Sequence, residues 1–347
     1  MKTRVCRLYE PHDLRVDIES VPEPGPGEVL VRVGAGGICG SDLHYFHEGG
    51  IGAAIRVRAP IILGHEAAGT VVAIGAGVSD LKAGALVAIN PSHPCGECKY
   101  CQEGLFQHCL KMRFLGSAMF FPHQDGAFRD LIVVKASQCF PLADHVTPAE
   151  GACAEPLAVC LHARNRAGDL SGKRVLVTGA GPIGSLCVAA AREGGASQIV
   201  VTDLHDATLA AAGKMGATGT INVAQNASAL EPYQADKGYF DVIFECSAAA
   251  PALRSAILTA RPQGRIVQVG TTGDIPVPIN MVVAKEITWI GTQRFHEEYG
   301  EAVTLINSGA IDVKPIITGS YPLEDALAAF EMASDRSKAV KVQLAFA

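Results

Sequence analysis

Four cysteines fall within fifteen residues, in the stretch CGECKYCQEGLFQHC. Cys95, Cys98, Cys101 and Cys109 follow the spacing C-x2-C-x2-C-x7-C. Clustered thiols serve one of three chemistries: disulfides, a redox-active pair, or a metal. A redox pair needs a single C-x-x-C and leaves two thiols without a task. Four thiolates this close can converge on one tetrahedral zinc, and a closed shell of four ligands has no open position, so such a site is structural.

A second group of chemically capable residues lies at turns. GGICGSDLHY supplies Cys39, Ser41, Asp42 and His44, LGHE supplies His65 and Glu66, and ACAEPLA supplies Glu155. A lone histidine or cysteine is usually a packing residue. Cysteine, histidine and carboxylates gathered ahead of a nucleotide-binding pattern suit zinc, which accepts sulfur, nitrogen and oxygen together. Three protein ligands leave a position for water or substrate, the pattern of catalytic zinc.

That nucleotide pattern is VLVTGAGPIG, where Gly179, Gly181 and Gly184 stand in G-x-G-x-x-G order with Pro182 and Ile183 between the last two. The first glycine allows a tight turn, the second lets a pyrophosphate approach the backbone, and the third lets helix pack on strand. The helix N-terminus then offers free N–H groups to phosphates. Asp203 closes the next apolar run, where a carboxylate bonds ribose hydroxyls, and LHDATL beyond it holds no Arg or Lys for a 2′-phosphate. NAD is therefore expected ahead of NADP. An iron–sulfur cluster also takes four cysteines, but beside a hydride cofactor it has no electron-transfer role.

These residues need a scaffold of matching size. With 347 residues, 48% of them hydrophobic, the chain exceeds one ordinary domain and can fill large cores. The net charge of -6 comes without a basic block, which argues against nucleic-acid and anionic-membrane partners. The N-terminal MKTRVCRLYEP lacks a signal-peptide core, and no apolar run is long enough to span a membrane, so a cytoplasmic location is expected. Disulfides rarely persist there. Cys6, Cys139, Cys153, Cys160, Cys187 and Cys246 sit among apolar neighbours and read as inert packing thiols.

Residues 1–150 read as β-rich, with short strands such as EVLVRVGAGG and no helical periodicity before about residue 147. A Thr-x-x-Glu capping box at Thr147 and Glu150 then opens a helical stretch. From KRVLVTG to GRIVQVG, apolar strands alternate with Ala-rich helices, the pattern of a doubly wound parallel sheet. The α/β tail, ending in KAVKVQLAF, is placed to return to the first domain.

The run G-H-E-x2-G-x5-G-x2-V from Gly64 to Val78 resembles the signature of the zinc-dependent medium-chain alcohol dehydrogenases. The C-G-S-D-x-H run, the four-cysteine loop and the glycine fingerprint occur in that family's order, and the resemblance spans essentially the whole chain. DLHYFHEGGIG, APIILGHE and AEPLAV resemble its polyol (sorbitol) branch, while KMRFLGSAMFFPHQDGAF and KGYFDVIFE are closer to the L-idonate 5-dehydrogenases within it. The resemblance implies a GroES-like catalytic domain over 1–150, a Rossmann domain over 151–290, and a return to the catalytic domain over 291–347. It implies Cys39, His65 and Glu66 as catalytic zinc ligands, with Glu155 either a further ligand or the holder of a water. Ser41 and His44 match the family's proton relay, and Asp42 a residue that orients His65.

Arg294 matches a substrate-pocket arginine of the polyol branch, with a surface or interface salt bridge as the alternative. Tyr45 beside His44 is expected to line the pocket, with packing as the alternative, and Phe295 is the third candidate substrate residue. Arg294 suits sugar hydroxyls or a sugar-acid carboxylate. Phe295 stands where sorbitol dehydrogenases tend to have tyrosine. The implied activity is NAD-linked oxidation of a secondary alcohol of a sugar acid or polyol by a homo-oligomer, tetramer or dimer. A sorbitol- or xylitol-type polyol dehydrogenase is the alternative within the class. A catalytically inactive nucleotide-binding relative is the alternative outside it, against which the intact Cys39, His65, Glu66, Ser41 and His44 set speaks.

Overall fold

The alternating EVLVRVGAGG builds the strand Glu28–Gly37, whose Val29, Val31 and Val33 are fully buried. In this computed structural model, which describes residues 1–271 and 273–346, that strand is the hub of a seven-stranded sheet. It pairs antiparallel with Glu66–Ile74 on one side. On the other it pairs with Leu131–Lys135 and, at its far end, with the C-terminal strand Lys341–Ala345. The last strand of the chain thus completes the N-terminal sheet, and a second C-terminal strand, Ile317–Pro322, lies parallel outside it.

The largely β character of the first 150 residues has one consequential exception, the helix Gly40–Glu48. The Asp42 carboxylate caps its start by accepting from the Cys39 N–H at 2.9 Å. Gly49, at φ 65°, ends it by donating its N–H to the Tyr45 carbonyl. Periodicity could not reveal a helix whose inward face is Asp42, Leu43, Tyr45 and Phe46, because its first inward residue is a carboxylate.

The second lobe is a six-stranded parallel sheet. In spatial order its strands are Gly219–Asn222, Gln198–Asp203, Arg174–Thr178, Phe240–Glu245, Ala260–Gln268 and Thr288–Gly291. Helices cover both faces, so the strands are continuous apolar runs: Val175, Leu176, Val177, Ile243 and Phe244 are fully buried. Strand order reverses between Arg174–Thr178 and Phe240–Glu245, and ligands of such sheets bind at that switch point.

The expected boundary at 291 falls too early. The helix Glu298–Asn307 turns Tyr299, Ala302, Val303 and Ile306 into the core shared with the nucleotide-lobe helix Ala154–Ala167. Glu298 and Glu301 pair with His162 and Arg164 of that helix at 2.8 and 2.6 Å. Matched apolar stripes and charges hold the chain on the nucleotide lobe until after this helix. No helix among the described residues is long and apolar enough to cross a membrane.

Candidate active site and metal centres

Sheet register assembles the inner cluster. Gly37 pairs with Glu66 across the two central strands, so Cys39, two residues beyond one strand, meets His65 and Glu66 at the start of the other. Their ligand atoms lie within 4.8 Å of one another. A Cβ at Gly37 would stand 2.0 Å from a Glu66 carboxylate oxygen, so only glycine leaves that carboxylate its place.

Neighbouring groups aim these donors. Asp42 is fully buried, accepts from the Gly64 N–H at 3.2 Å, and faces His65 Nδ1 at 3.7 Å. That leaves Nε2 for a metal, the usual division of labour in carboxylate–histidine–metal sites. Burial opposes charge on His65, but Asp42, then Cys39 and Glu155, outweigh it and push the imidazole up to about 10. The same negative potential favours a bound dication. Thiolate, imidazole and carboxylate at this spacing fit zinc.

Glu155, in the first turn of Ala154–Ala167, is buried outside the three-ligand group. Burial pushes it up to about 7, with Glu66 adding and His65 opposing. A carboxyl poised near neutrality beside a metal cluster is suited to exchange protons there.

Ser41 Oγ lies 3.5 Å from His65 Nε2, at the inner end of the helix Gly40–Glu48. His44, one turn on, is exposed and meets Glu48 at 3.2 Å. Tyr45 is buried, and its hydroxyl accepts from the Ala118 N–H at 3.1 Å. The Arg294 guanidinium lies over the Phe114 ring at 4.3 Å from its centroid, and the same ring sits 5.4 Å from that of His65. Arg294 forms no ion pair or side-chain hydrogen bond among the described residues, and burial lowers its pKa while Glu155 and Tyr45 raise it. Its φ of +50° turns the chain so that the next side chain diverges. Phe295 is 1% exposed and packs on Tyr299 in the core.

The four-cysteine loop forms a separate centre. All four sulfurs lie within 4.8 Å of one another, with Cys95–Cys109 at 3.4 Å and Cys98–Cys101 at 3.6 Å. A zinc–tetrathiolate places sulfurs about 3.8 Å apart, whereas a disulfide needs about 2 Å. Backbone N–H groups of Cys95 and Lys111 donate to Cys109 Sγ, and that of Leu110 to Cys98 Sγ. The Leu110 N–H, helped by that of Cys101, holds the Cys98 thiol down at about 6. The loop also touches the rest of the site: Phe106 stacks on His296 with centroids 4.0 Å apart, two residues from Arg294.

Between the lobes runs a cleft of about 660 Å³. Gly179, Gly181 and Asp203 line one wall, Cys39 and Glu66 the other. A Cβ at Gly184 would stand 1.8 Å from the Gly179 carbonyl, the close helix–strand approach the fingerprint demands. Asp203 accepts from the N–H groups of Ala180, Leu204 and His205 at 2.6, 2.7 and 3.0 Å. It ties the glycine turn to the start of the next helix and lines the cleft.

Sequence reasoning missed three residues here. Lys341, 2% exposed, donates to both Glu66 oxygens at 2.7 Å and to the Ile38 carbonyl at 3.2 Å. Each carboxylate oxygen keeps a second lone pair, so Glu66 can serve lysine and metal together. Glu245, fully buried, accepts from Thr178 Oγ1, Ser247 N and Ala248 N and so shapes the cleft floor. Arg336 lines the cleft from the C-terminal segment. None lies in a local motif; only the fold brings them in.

A mixed-ligand metal cluster opening onto a dinucleotide cleft between a β-rich lobe and a doubly wound lobe defines a metal-dependent dehydrogenase. The chain matches the alcohol dehydrogenase GroES-like domain over residues 25–144 and the zinc-binding dehydrogenase domain over residues 182–308. It is 41% identical over 347 residues to the L-idonate 5-dehydrogenase (NAD(P)(+)) of Escherichia coli (strain K12), covering 100% of this chain and 99% of that protein. The crystal structure of the E. coli L-idonate 5-dehydrogenase superposes with a TM-score of 0.95 over 100% of this chain and 99% of that one. The sorbitol dehydrogenase of Gallus gallus is 38% identical over 97% of this chain and 94% of its own length. A zinc-binding dehydrogenase structure from Sinorhizobium meliloti 1021, bound to NADP, is 29% identical with a TM-score of 0.89, covering 99% of each chain. The chain belongs to the zinc-binding, medium-chain alcohol dehydrogenase family.

Proposed function

We propose that this enzyme oxidises the secondary hydroxyl of a sugar acid, with L-idonate going to 5-keto-D-gluconate, and passes the hydride to NAD in a reversible reaction. The observation that carries the reading is the shared wall: Cys39 and Glu66 belong both to the metal cluster and to the dinucleotide cleft. Alcohol carbon and nicotinamide would therefore meet beside Cys39 and Glu66.

Cys39, His65 and Glu66 would hold the zinc, which when bound would supply Lewis-acid polarisation of the substrate oxygen. NAD, when bound in the cleft, would supply the hydride acceptor. Ser41, beside His65, takes the hydroxyl proton and hands it outward to the exposed His44, with Glu48 holding that imidazole. Glu155 binds the water or hydroxyl beside the cluster. Asp203 holds the adenosine ribose.

The substrate assignment rests on Arg294. A half-buried guanidinium with no acidic partner beside the metal cluster suits a substrate carboxylate, which it can bind bidentately. Tyr45 would line the pocket near it. The edge strand Thr288–Gly291, with Ile279 and Val283 exposed nearby, suits self-association as a homo-oligomer, which light scattering would read as a dimer or tetramer.

The test is NADH oxidation with 5-keto-D-gluconate, D-fructose and, separately, NADPH. Faster turnover of the keto acid supports the sugar-acid reading. Faster turnover of fructose makes Arg294 a hydroxyl contact in a polyol dehydrogenase. Preference for NADPH reverses the cofactor choice read at Asp203.

A further inference from the structure

Of the six cysteines outside the metal centres, Cys6, Cys139, Cys153, Cys160 and Cys187 are buried, as packing thiols should be. Cys246 departs from that expectation. It follows the strand Phe240–Glu245, is half-buried, and lines the nucleotide side of the cleft beside Gly179, Gly181 and Ile183. Two more sulfurs stand behind it. Cys246 Sγ lies 3.8 Å from Cys187 Sγ, on the helix Pro182–Glu193. Cys187 is 1% exposed and also bonds to Cys160, on the helix Ala154–Ala167. Three thiols thus run in series from the cleft into the core.

Sulfurs 3.8 Å apart are in contact, and a disulfide needs about 2 Å. Cys160, and then Cys246, hold the Cys187 thiol below its ordinary value, while burial opposes them. Once one proton of the pair has gone to solvent, the other is shared, and moving it onto Cys187 leaves a thiolate on the cleft-facing sulfur. The surroundings belong to the glycine turn. The Cys246 N–H donates to the Thr178 carbonyl at 2.9 Å, and Ser247 Cα stands 3.1 Å from where a Cβ of Gly179 would be. Cys160 Sγ donates to the Ile183 carbonyl at 3.3 Å. The three cysteines therefore brace, from behind, that turn and the start of the helix after it.

We propose that Cys246 and Cys187 are an oxidation site: a hydroperoxide entering the cleft joins them as a disulfide, which pulls the glycine turn out of its binding shape. The Cys246 thiolate attacks one oxygen of hydrogen peroxide, the O–O bond breaks, and hydroxide leaves Cys246 as a sulfenic acid. Cys187 sulfur then displaces the sulfenic hydroxyl, which takes the Cys187 proton and departs as water. The hydroxide takes up the proton first lost to solvent. Two thiols and one peroxide thus give one disulfide and two waters, with two electrons passing from sulfur to oxygen. A dinucleotide in the cleft covers Cys246 and protects the pair, a consequence that rests on the dinucleotide reading of the cleft.

The experiment treats the full zinc-loaded chain with hydrogen peroxide, with and without NAD, and reads each cysteine by mass spectrometry of tryptic peptides. Peptides 175–192 and 238–254 should appear joined, and dithiothreitol should part them. NAD at about ten times its Kd should slow the joining by about 10-fold. The joined chain should bind NADH about 10-fold more weakly, or worse, because the two sulfurs close by about 2 Å beside the turn. Cys246→Ser and Cys187→Ala should each keep, after peroxide, the NADH affinity they have before it, which sets oxidation of the metal-centre thiols apart. Joined peptides with unchanged NADH affinity would overturn the proposal. So would peptides that stay apart while other thiols oxidise, or a bond from Cys187 to Cys160 instead of Cys246. A chain that binds no NADH before treatment removes the dinucleotide reading and the protection with it, while the joined peptides still decide the pair.

Discussion

The two metal centres are built in opposite ways. The outer one takes four thiols from a single fifteen-residue loop, with backbone N–H groups turned onto the sulfurs. The inner one takes sulfur, nitrogen and oxygen from two strand ends and is surrounded by ionisable groups: Asp42, Glu155, Lys341 and Arg294. Four matched ligands saturate an ion and fix a loop. Three mixed ligands leave the ion reactive, and the charges around them tune and position what binds. One contact links the outer loop to the segment carrying Arg294: Phe106 stacks on His296.

Breaking the inner centre should cost the most activity and the least fold. His65→Ala should lower turnover by about a thousand-fold or more, since metal polarisation supplies several kcal/mol. NADH binding and half the zinc should remain; loss of both metals together would erase the distinction between the centres. Breaking the outer centre should do the reverse. Cys98→Ser should destabilise the enzyme by about 3 kcal/mol or more, seen as a fall of several degrees in thermal midpoint. Its remaining folded fraction should still bind NADH.

The ion pair His162–Glu298 lies in neither centre, but it joins the helix carrying Glu155 to the segment carrying Arg294. Burial alone would raise Glu298, yet the His162 hydrogen bond and the His296 N–H hold it down at about 2. A lowered carboxylate stabilises the fold above its unfolded value of about 4.3, and the contribution disappears as pH falls toward 2. Glu298→Gln should therefore cost about 2 kcal/mol at pH 7 and about half of that at pH 3. Denaturant titrations at the two pH values check the sign. The smallest effect belongs to the bridge between the centres. Phe106→Ala should raise the KM of an anionic substrate by about 2- to 10-fold, the worth of one aromatic pair, with kcat nearly unchanged. Phe106→Tyr should restore it, and an unchanged KM in the alanine variant would show that the outer loop does not steady Arg294.

The same contrast explains what was legible in the sequence. The outer centre is local, so cysteine spacing alone displays it. The glycine fingerprint and the alternation of strands and helices are local too, and they display the nucleotide lobe. Cys39, His65 and Glu66 could be named as candidates, but their convergence depends on the Gly37–Glu66 register. Lys341 and Arg336 arrive from the far end of the chain through one strand pairing, which no motif announces. The helix Gly40–Glu48 was hidden because Asp42 on its inward face breaks the apolar period. Residue type alone does not show that Phe295 is 1% exposed and packs on Tyr299.

Zinc content measured through graded chelation tests the central claim most directly. The account predicts about two zincs per chain. A brief treatment should remove one of them and abolish NADH oxidation while the thermal midpoint scarcely moves, and harsher treatment should remove the second as the fold loosens. A single zinc per chain, or two that leave together with activity and stability, would contradict it.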